Sequence, residues 1–416
     1  MDAFWPLVHK SRRRLEALNR QLRGADRSSV VIDIEQVLCA LVACDGSDLH
    51  LKVGSVPLAR IDGALGPLGT DEEWPVLASA DTEGAVRDLL AGGNRLEEFF
   101  DNQDLDISHE IAGVARFRIN MFRQRGRVSL VARAIPHRIR TVDELGLPPV
   151  ISELADEARG IILVTGSTGS GKSTTLAAII DHINNARASH IVTIEDPIEF
   201  VHTDVRSMVS QREVGSDTAS FKHALRRVLR QDPDVILIGE MRDEETVQTA
   251  LSAAETGHLV LSTIHTVDAA ESINRMLDFF PPHQHAQARS MIAGTVKGVI
   301  SQRLVPGADG GRVAVCEILR MTGRVRDMIV DPDQTGKLVE VITSGGYYGM
   351  QTFDQALFGH VKAGRVTFED AMRVASSPHD FKLLMQAEGR TGTTMDDVAV
   401  AEANRASESK PTLSAA

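Results

Sequence analysis

Gly166-Ser167-Thr168-Gly169-Ser170-Gly171-Lys172-Ser173-Thr174 keeps the spacing G-x-x-x-x-G-K-[ST], and that spacing suits a polyphosphate. The glycines let successive backbone N–H groups curl around phosphate with no Cβ in the way. A helix beginning at Lys172 or Ser173 adds the partial positive charge of its N-terminus. Lys172 is expected on the β- and γ-phosphates of ATP and the Ser173 hydroxyl on Mg²⁺. A glycine-rich turn before a helix is the bland alternative. The context weighs against it, because a buried-strand run (Gly160 to Thr165) leads in and a helical pattern (Ser173 to Asn185) leads out.

Hydrolysis also needs carboxylates to place the metal and an attacking water. Asp234-Val235-Ile236-Leu237-Ile238-Gly239-Glu240 is an apolar run ending in an acid, as in a Walker B strand. Gly239 stands where a metal-binding Asp is usual, so Glu240 is expected to act on Mg²⁺ through its water shell. Thr193-Ile194-Glu195-Asp196-Pro197-Ile198-Glu199-Phe200 is a second acidic strand end, with Glu195 the candidate general base. Glu199 reads equally well as a solvated loop acid. Acids at adjacent strand termini of a parallel sheet converge where ligands bind such folds.

Histidine and arginine candidates are more open. His258 and His265 bracket the apolar run Leu259 to Ile264. A γ-phosphate sensor at His265 and a histidine satisfied by a backbone carbonyl are even alternatives from the residues alone. His283 and His285 read as part of a surface turn. Arg226 and Arg230, four apart, are expected on one face of a helix. Arg118 and Arg133 fall on strand-like segments far upstream. A solvated face is the default for each arginine, against the alternative of stabilising phosphoryl charge.

The elements that must position these groups fall into blocks. At roughly 150 residues per domain, 416 residues allow two or three domains. Residues 1–30 read as an extension, a solvated helix or a frayed segment, in which Leu7, Leu15, Leu18 and Leu22 could line one helical face among arginines. Residues 31–140 alternate polar and apolar types, as in Asp48 to Val53 and Ala115 to Asn120, with a helix over Thr82 to Leu90; a small α+β domain is expected. Residues 141–150, ending in Pro148-Pro149, read as a connector. In 151–387, β-branched runs (Ile161 to Thr165, His190 to Ile194, Asp234 to Ile238, His258 to Thr263) alternate with helical patterns to about 320, and a helical region follows. That order implies an α/β domain around a mostly parallel sheet. Residues 388–416 are small and polar and read as a disordered tail.

Composition excludes several classes. Lys plus Arg number 45 against 57 Asp plus Glu, a formal charge of −12, which argues against a nucleic-acid partner. Three cysteines allow neither a disulfide framework nor a four-cysteine zinc site. No apolar run approaches the roughly 18 residues of a membrane span. Apolar Phe4 to Val8 precedes the basic Arg12-Arg13-Arg14, the reverse of a signal peptide, so a cytoplasmic location is expected.

Taken in order, these motifs resemble the secretion-type ring ATPases, and among them the PilT-like retraction motors of type IV pili. The resemblance covers about residues 35 to 385. It rests on Gly46 to Leu51, Gly113 to Arg118, the phosphate loop, the acidic box Thr193 to His202, Gln211 to Val214, Ala224 to Arg226 with Leu229 to Asp234, Gly239 to Asp243, Ala254 to Thr266 and Tyr348 to Leu357. It implies a homohexamer of subunits with a PAS-like N-terminal domain, a flexible linker and a RecA-like ATPase domain. It further implies Glu195 as catalytic glutamate, Glu240 as Walker B glutamate, roles for His258 and His265, and Arg118 and Arg133 as arginines approaching the nucleotide. Domain closure around ATP then turns a platform protein in the inner membrane, to which the ring attaches peripherally from the cytoplasmic side.

Two positions depart from the pattern. Ser167 replaces a usual proline, and the retraction-linked Ala-Ile-Arg box appears as Arg324 to Asp331 without its leading alanine. Retraction is therefore less firmly implied than ATP hydrolysis. Pilus extension or secretion, a DNA-handling ring and an accessory ATP-binding paralogue with little turnover are the competing functions. The missing four-cysteine insertion weighs against the first and the acidic charge against the second.

Overall fold

A computed structural model of the chain describes residues 32–61, 63–69, 74–91, 95–135 and 138–387. The expected leader helix (1–30) and polar tail (388–416) lie outside the described residues. The chain divides into two units, Met1–Ile139 with Pro197–Thr203, and Arg140–Asp196 with Asp204–Ala416.

Period-two alternation builds the first unit. Six strands, β1 (Asp48–Lys52), β2 (Leu58–Ile61), β3 (Ala64–Pro67), β4 (Asp104–Ile111), β5 (Ala115–Gln124) and β6 (Arg127–Ile135), form one sheet in the order β3-β2-β1-β6-β5-β4. Every pair is antiparallel. Phe117, Ile119 and Met121 on β5, with Leu130 and Ala132 on β6, bury one face against Val37, Leu38, Leu41, Val86 and Phe99 from helices. The intervening Arg116, Arg118 and Arg133 fall on the other face, as a half-buried antiparallel sheet requires. The helix expected over Thr82 to Leu90 runs Ser79–Leu89, because Asp81 accepts a hydrogen bond from Ala78 N at 2.7 Å and moves the start upstream.

The second unit reads differently. Its strands are β7 (Gly160–Thr165), β8 (His190–Glu195), β9 (Met208–Glu213), β10 (Val235–Ile238), β11 (Leu259–Ile264), β12 (Val296–Pro306) and β13 (Arg312–Arg320). They form one sheet in the order β13-β12-β7-β11-β10-β8-β9, parallel except for the β12–β13 pair. Both faces are covered: Ile161 and Leu163 enter one apolar cluster, Ile162 and Val164 the other. This is why β7 is a continuous apolar run rather than an alternating one. Among the described residues, the expected helical region after about 320 holds five α-helices, from Gly323–Val330 to Pro378–Ala387.

The connector expected at 141–150 is folded onto this second unit. Val142, Leu147 and Val150 are buried with Ile151 and Leu154, so the apolar spacing within the segment outweighs its Pro-Pro punctuation.

Candidate functional site

Parallel pairing puts one end of several strands on a common edge. Thr165 pairs with Ile264, and Ile238 pairs with both Ser262 and Ile194. At that end of β7, β11, β10 and β8 stand the phosphate loop, His265, Glu240 and Glu195, in spatial order along the edge. The structure brings these four sequence-derived features together.

The loop geometry is glycine-dependent. Gly166, Gly169 and Gly171 have φ of 143°, 79° and 90°, values that side-chain-bearing residues rarely adopt. A Cβ on Gly166 would meet the Gln302 carbonyl oxygen at 2.4 Å, and one on Gly171 would meet Gln302 Nε2 at 2.7 Å. The helix Lys172–Ala186 starts at Gly171 with no side-chain cap and no acid in its first turn. Its leading N–H groups and dipole are thus not neutralised by its own side chains, as an anion site requires. Lys172 is buried, its Nζ donating to Gly166 O and Ser167 O at 2.9 Å each. Ser170 Oγ is buried without a hydrogen-bond partner among the described residues. Ser167, Thr168, Ser173 and Thr174 complete the loop and the first helical turn. Positive-φ glycines, a lysine curled over the loop, an uncapped helix start and an unmatched hydroxyl together fit a polyphosphate.

Glu195 ends β8, half-buried. Its Oε1 accepts from Thr193 Oγ1 at 2.6 Å and from Gln211 Nε2 at 3.1 Å. Glu240 is also half-buried; Arg242 Nε donates to its Oε2 at 2.7 Å and His265 Nε2 lies 3.5 Å from its Oε1. The end of β10 is held by its neighbour, as Thr263 Oγ1 donates to Gly239 O at 2.6 Å and Ser262 Oγ to Ile238 O at 2.7 Å. A Cβ at Gly239 would lie 3.2 Å from Ile194 O, a tight contact. Among the described residues no cluster of three or more His, Cys, Asp or Glu forms a metal site; Ser173 and Glu240 are donors suited to a cation held mainly by phosphate and water. Glu199 is exposed, as expected of a loop acid.

One other candidate of the second unit lies away from this edge. His258 precedes β11, at the opposite end of the strand from His265, and its Nδ1 lies 2.8 Å from Ala253 O. The carbonyl-satisfied alternative describes it. Arg226 and Arg230 do not share a helix face, because the helix Phe221–Val228 ends first and Arg230 lies in the turn beyond. Arg226 pairs with Glu245, as does Lys222. Within the first unit, Arg118 and Arg133 are direct cross-strand partners. Arg133 Nε donates to Asp48 Oδ1 at 2.8 Å, and Arg118 Nε is 3.8 Å from Asp106. The variant box Arg324 to Asp331 is the helix Gly323–Val330, with Val325, Met328 and Ile329 buried and Arg326 Nε donating to Ala293 O at 3.2 Å.

Sequence reasoning missed Gln302 and Gln211. Gln302 stands in a strand of mixed character, with Lys297, Ser301 and Arg303 nearby, so its type carries no signal in the sequence; its burial at 3% exposure is what points to it. Gln211 carries no comparable mark, because β9 is a half-exposed edge strand.

Fold and edge together define a RecA-like P-loop ATPase. Residues 102–310 match the family described as Type II/IV secretion system protein. A Pseudomonas aeruginosa protein described as Type IV pilus retractation ATPase PilT is 44% identical over 350 residues, 84% of this chain and 100% of that one. A Neisseria gonorrhoeae twitching motility protein is 42% identical over 322 residues, 77% of this chain and 84% of its own. The crystal structure of the pilus retraction motor PilT with bound ADP aligns with TM-score 0.78 and 42% identity, covering 84% of this chain and 98% of that one. The chain belongs to this secretion ATPase family.

Proposed function

We propose that the chain is an ATP-hydrolysing motor for type IV pilus retraction and twitching motility. It works as a homohexameric ring, peripheral to the cytoplasmic face of the inner membrane through a platform protein, and no nucleic acid takes part. The observation that carries this reading is the common strand edge, where the phosphate loop, Glu240 and Glu195 lie at the same end of the parallel strands β7, β10 and β8. Similarity to the retraction motor with bound ADP supports nucleotide as the ligand.

In this reading the loop N–H groups and Lys172 hold the phosphates, Ser173 would hold Mg²⁺ with Glu240 acting through its water shell, and Glu195 takes the proton of the attacking water. Bound Mg²⁺ supplies charge neutralisation on the phosphates. Thr193 and Gln211 aim the Glu195 carboxylate by donating to one of its oxygens. His265, beside Glu240, senses the state of the terminal phosphate; His258 supports the other end of the same strand. Arg118 and Arg133 contribute cationic charge to hydrolysis, a role supported by their exposure on one sheet face. Arg226 and Arg230 remain proposed contributors of charge in the assembled ring.

Steady-state ATPase assays on wild type and Lys172→Ala test the reading, together with surface motility of cells carrying each. Expected are turnover and motility in wild type and neither in the variant. Cells lacking the protein should keep their surface pili but not move. Loss of the pili themselves would favour an extension motor, and motility without turnover an accessory role.

A further inference from the structure

We propose that Gln302 is a positioning residue that sets the phosphate loop in its nucleotide-gripping conformation, an inference that rests on the nucleotide reading above. Gln302 sits on β12, next to the phosphate-loop strand β7, and is 3% exposed. Both ends of its amide are used, and both on the phosphate-loop segment. Nε2 donates to Ser170 O at 2.8 Å, and Oε1 accepts from Thr175 Oγ1 at 2.7 Å. The amide orientation follows from these partners, since a carbonyl only accepts and Thr175 Oγ1 is donating.

The physical consequence runs through one peptide plane. In a trans peptide the C=O and the next N–H point in opposite directions. Pinning Ser170 O against β12 therefore aims the Gly171 N–H away from β12, toward the side from which an anion is gripped. Gly171, at φ 90°, is free to adopt either orientation of that plane. A loop made of such residues needs an external clamp. A Cβ on Gly171 would strike the Gln302 side chain at Nε2, 2.7 Å away, so the second glycine of the motif leaves room for this amide. The base of the clamp is fixed, because Thr165 Oγ1 donates to the adjacent Ser301 Oγ at 3.0 Å.

ADP affinity of the full chain, measured by titration calorimetry with Mg²⁺ present, tests the proposal, with the thermal midpoint of each variant recorded without nucleotide. Gln302→Met and Thr175→Val should each weaken ADP binding about tenfold with midpoints near wild type. Thr175→Ser, which keeps the hydroxyl, should bind within about twofold of wild type. The Gln302→Met, Thr175→Val double variant should be no weaker than the worse single, because one clamp is removed twice. A folded Gln302→Met with wild-type affinity, or additive losses in the double variant, would overturn the clamp. Should Gln302→Met not fold, the threonine pair decides: weakened Thr175→Val with restored Thr175→Ser supports the clamp, and an unaffected Thr175→Val overturns it. Absence of ADP binding by wild type would overturn the nucleotide reading itself, a result distinct from either.

Discussion

Asp48 and Glu317 are each 6% exposed, one in each sheet, and they titrate in opposite directions. Burial pushes the Asp48 carboxyl up, but hydrogen bonds from Arg133 and Ser47 and the charges of Arg133 and Arg60 outweigh it and hold the group below the usual carboxylate range. Burial pushes Glu317 up to about 7; the Ala269 N–H and Arg303 oppose this, Asp268 and Asp354 add to it, and the net remains raised. The difference follows from the charges that stand beside each carboxylate. An antiparallel sheet with one open face lets cations stand beside a carboxylate, as Arg60 and Arg133 do as cross-strand partners of Asp48. Glu317 has one cation, Arg303, set against the carboxylates of Asp268 and Asp354, so burial prevails there. Charged groups in the first unit are thus laid out along a face by register, and the candidate site of the second along an edge by topology.

The edge should be the less forgiving of the two. Lys172→Ala removes the lysine that curls over the phosphate loop, and turnover should fall by on the order of 10²–10³ or more, checked by steady-state ATPase rates. Next in size, Glu195→Gln should retain nucleotide affinity and lose about 10²-fold in turnover. Equal affinity and undiminished turnover in Glu195→Gln, with the loss appearing instead in Glu240→Gln, would move the base to the neighbouring strand.

The face should respond in gradations. The Arg118→Ala, Arg133→Ala double variant should lose turnover on the order of tenfold, short of the 10³–10⁵ of a fully committed arginine finger, because Asp48 already engages Arg133 at 2.8 Å. Light scattering on the same preparation should give an unchanged mass. Full activity in this variant would confine the chemistry to the edge.

The two carboxylates supply the smallest and most direct test of the comparison. Between about pH 4.5 and 7 the folded chain keeps a proton on Glu317 that the unfolded chain has lost, so stability declines as pH rises through that window. Glu317→Gln should therefore raise the thermal midpoint at pH 8 by on the order of 5 °C and leave it nearly unchanged at pH 4.5. Asp48 has the opposite sign. Its lowered value means a contribution present above the unfolded pKa and lost as pH falls through the folded one, so Asp48→Asn should cost about 1 kcal/mol or less at pH 7 and nothing at strongly acidic pH. Thermal melts across this range check both, and shifts of the same sign would remove the contrast between the sheets.

Much of the edge was legible before any fold was known. The loop Gly166 to Ser173 declares its ligand through residue type and spacing, and the acids Glu195 and Glu240 stand at the ends of apolar runs that can only be buried strands. These are local signals, carried by neighbours in the chain. Tertiary structure alone decided the rest, because it depends on which strands become neighbours. Gln302 lies more than a hundred residues beyond the loop it clamps, and only the placement of β12 beside β7 brings them together. His258 and His265 look alike as the two ends of one strand, yet strand direction sends one to the phosphate edge and the other to the opposite end. Arg230 shares a helical spacing with Arg226, but the helix stops first, followed by the positive-φ residue Asp232 and Pro233 before β10. Sequence by itself determined what chemistry is on offer, since side-chain type and short-range spacing are written residue by residue. Which groups act together was decided by hydrogen-bonded register and burial, which are properties of distant segments in contact.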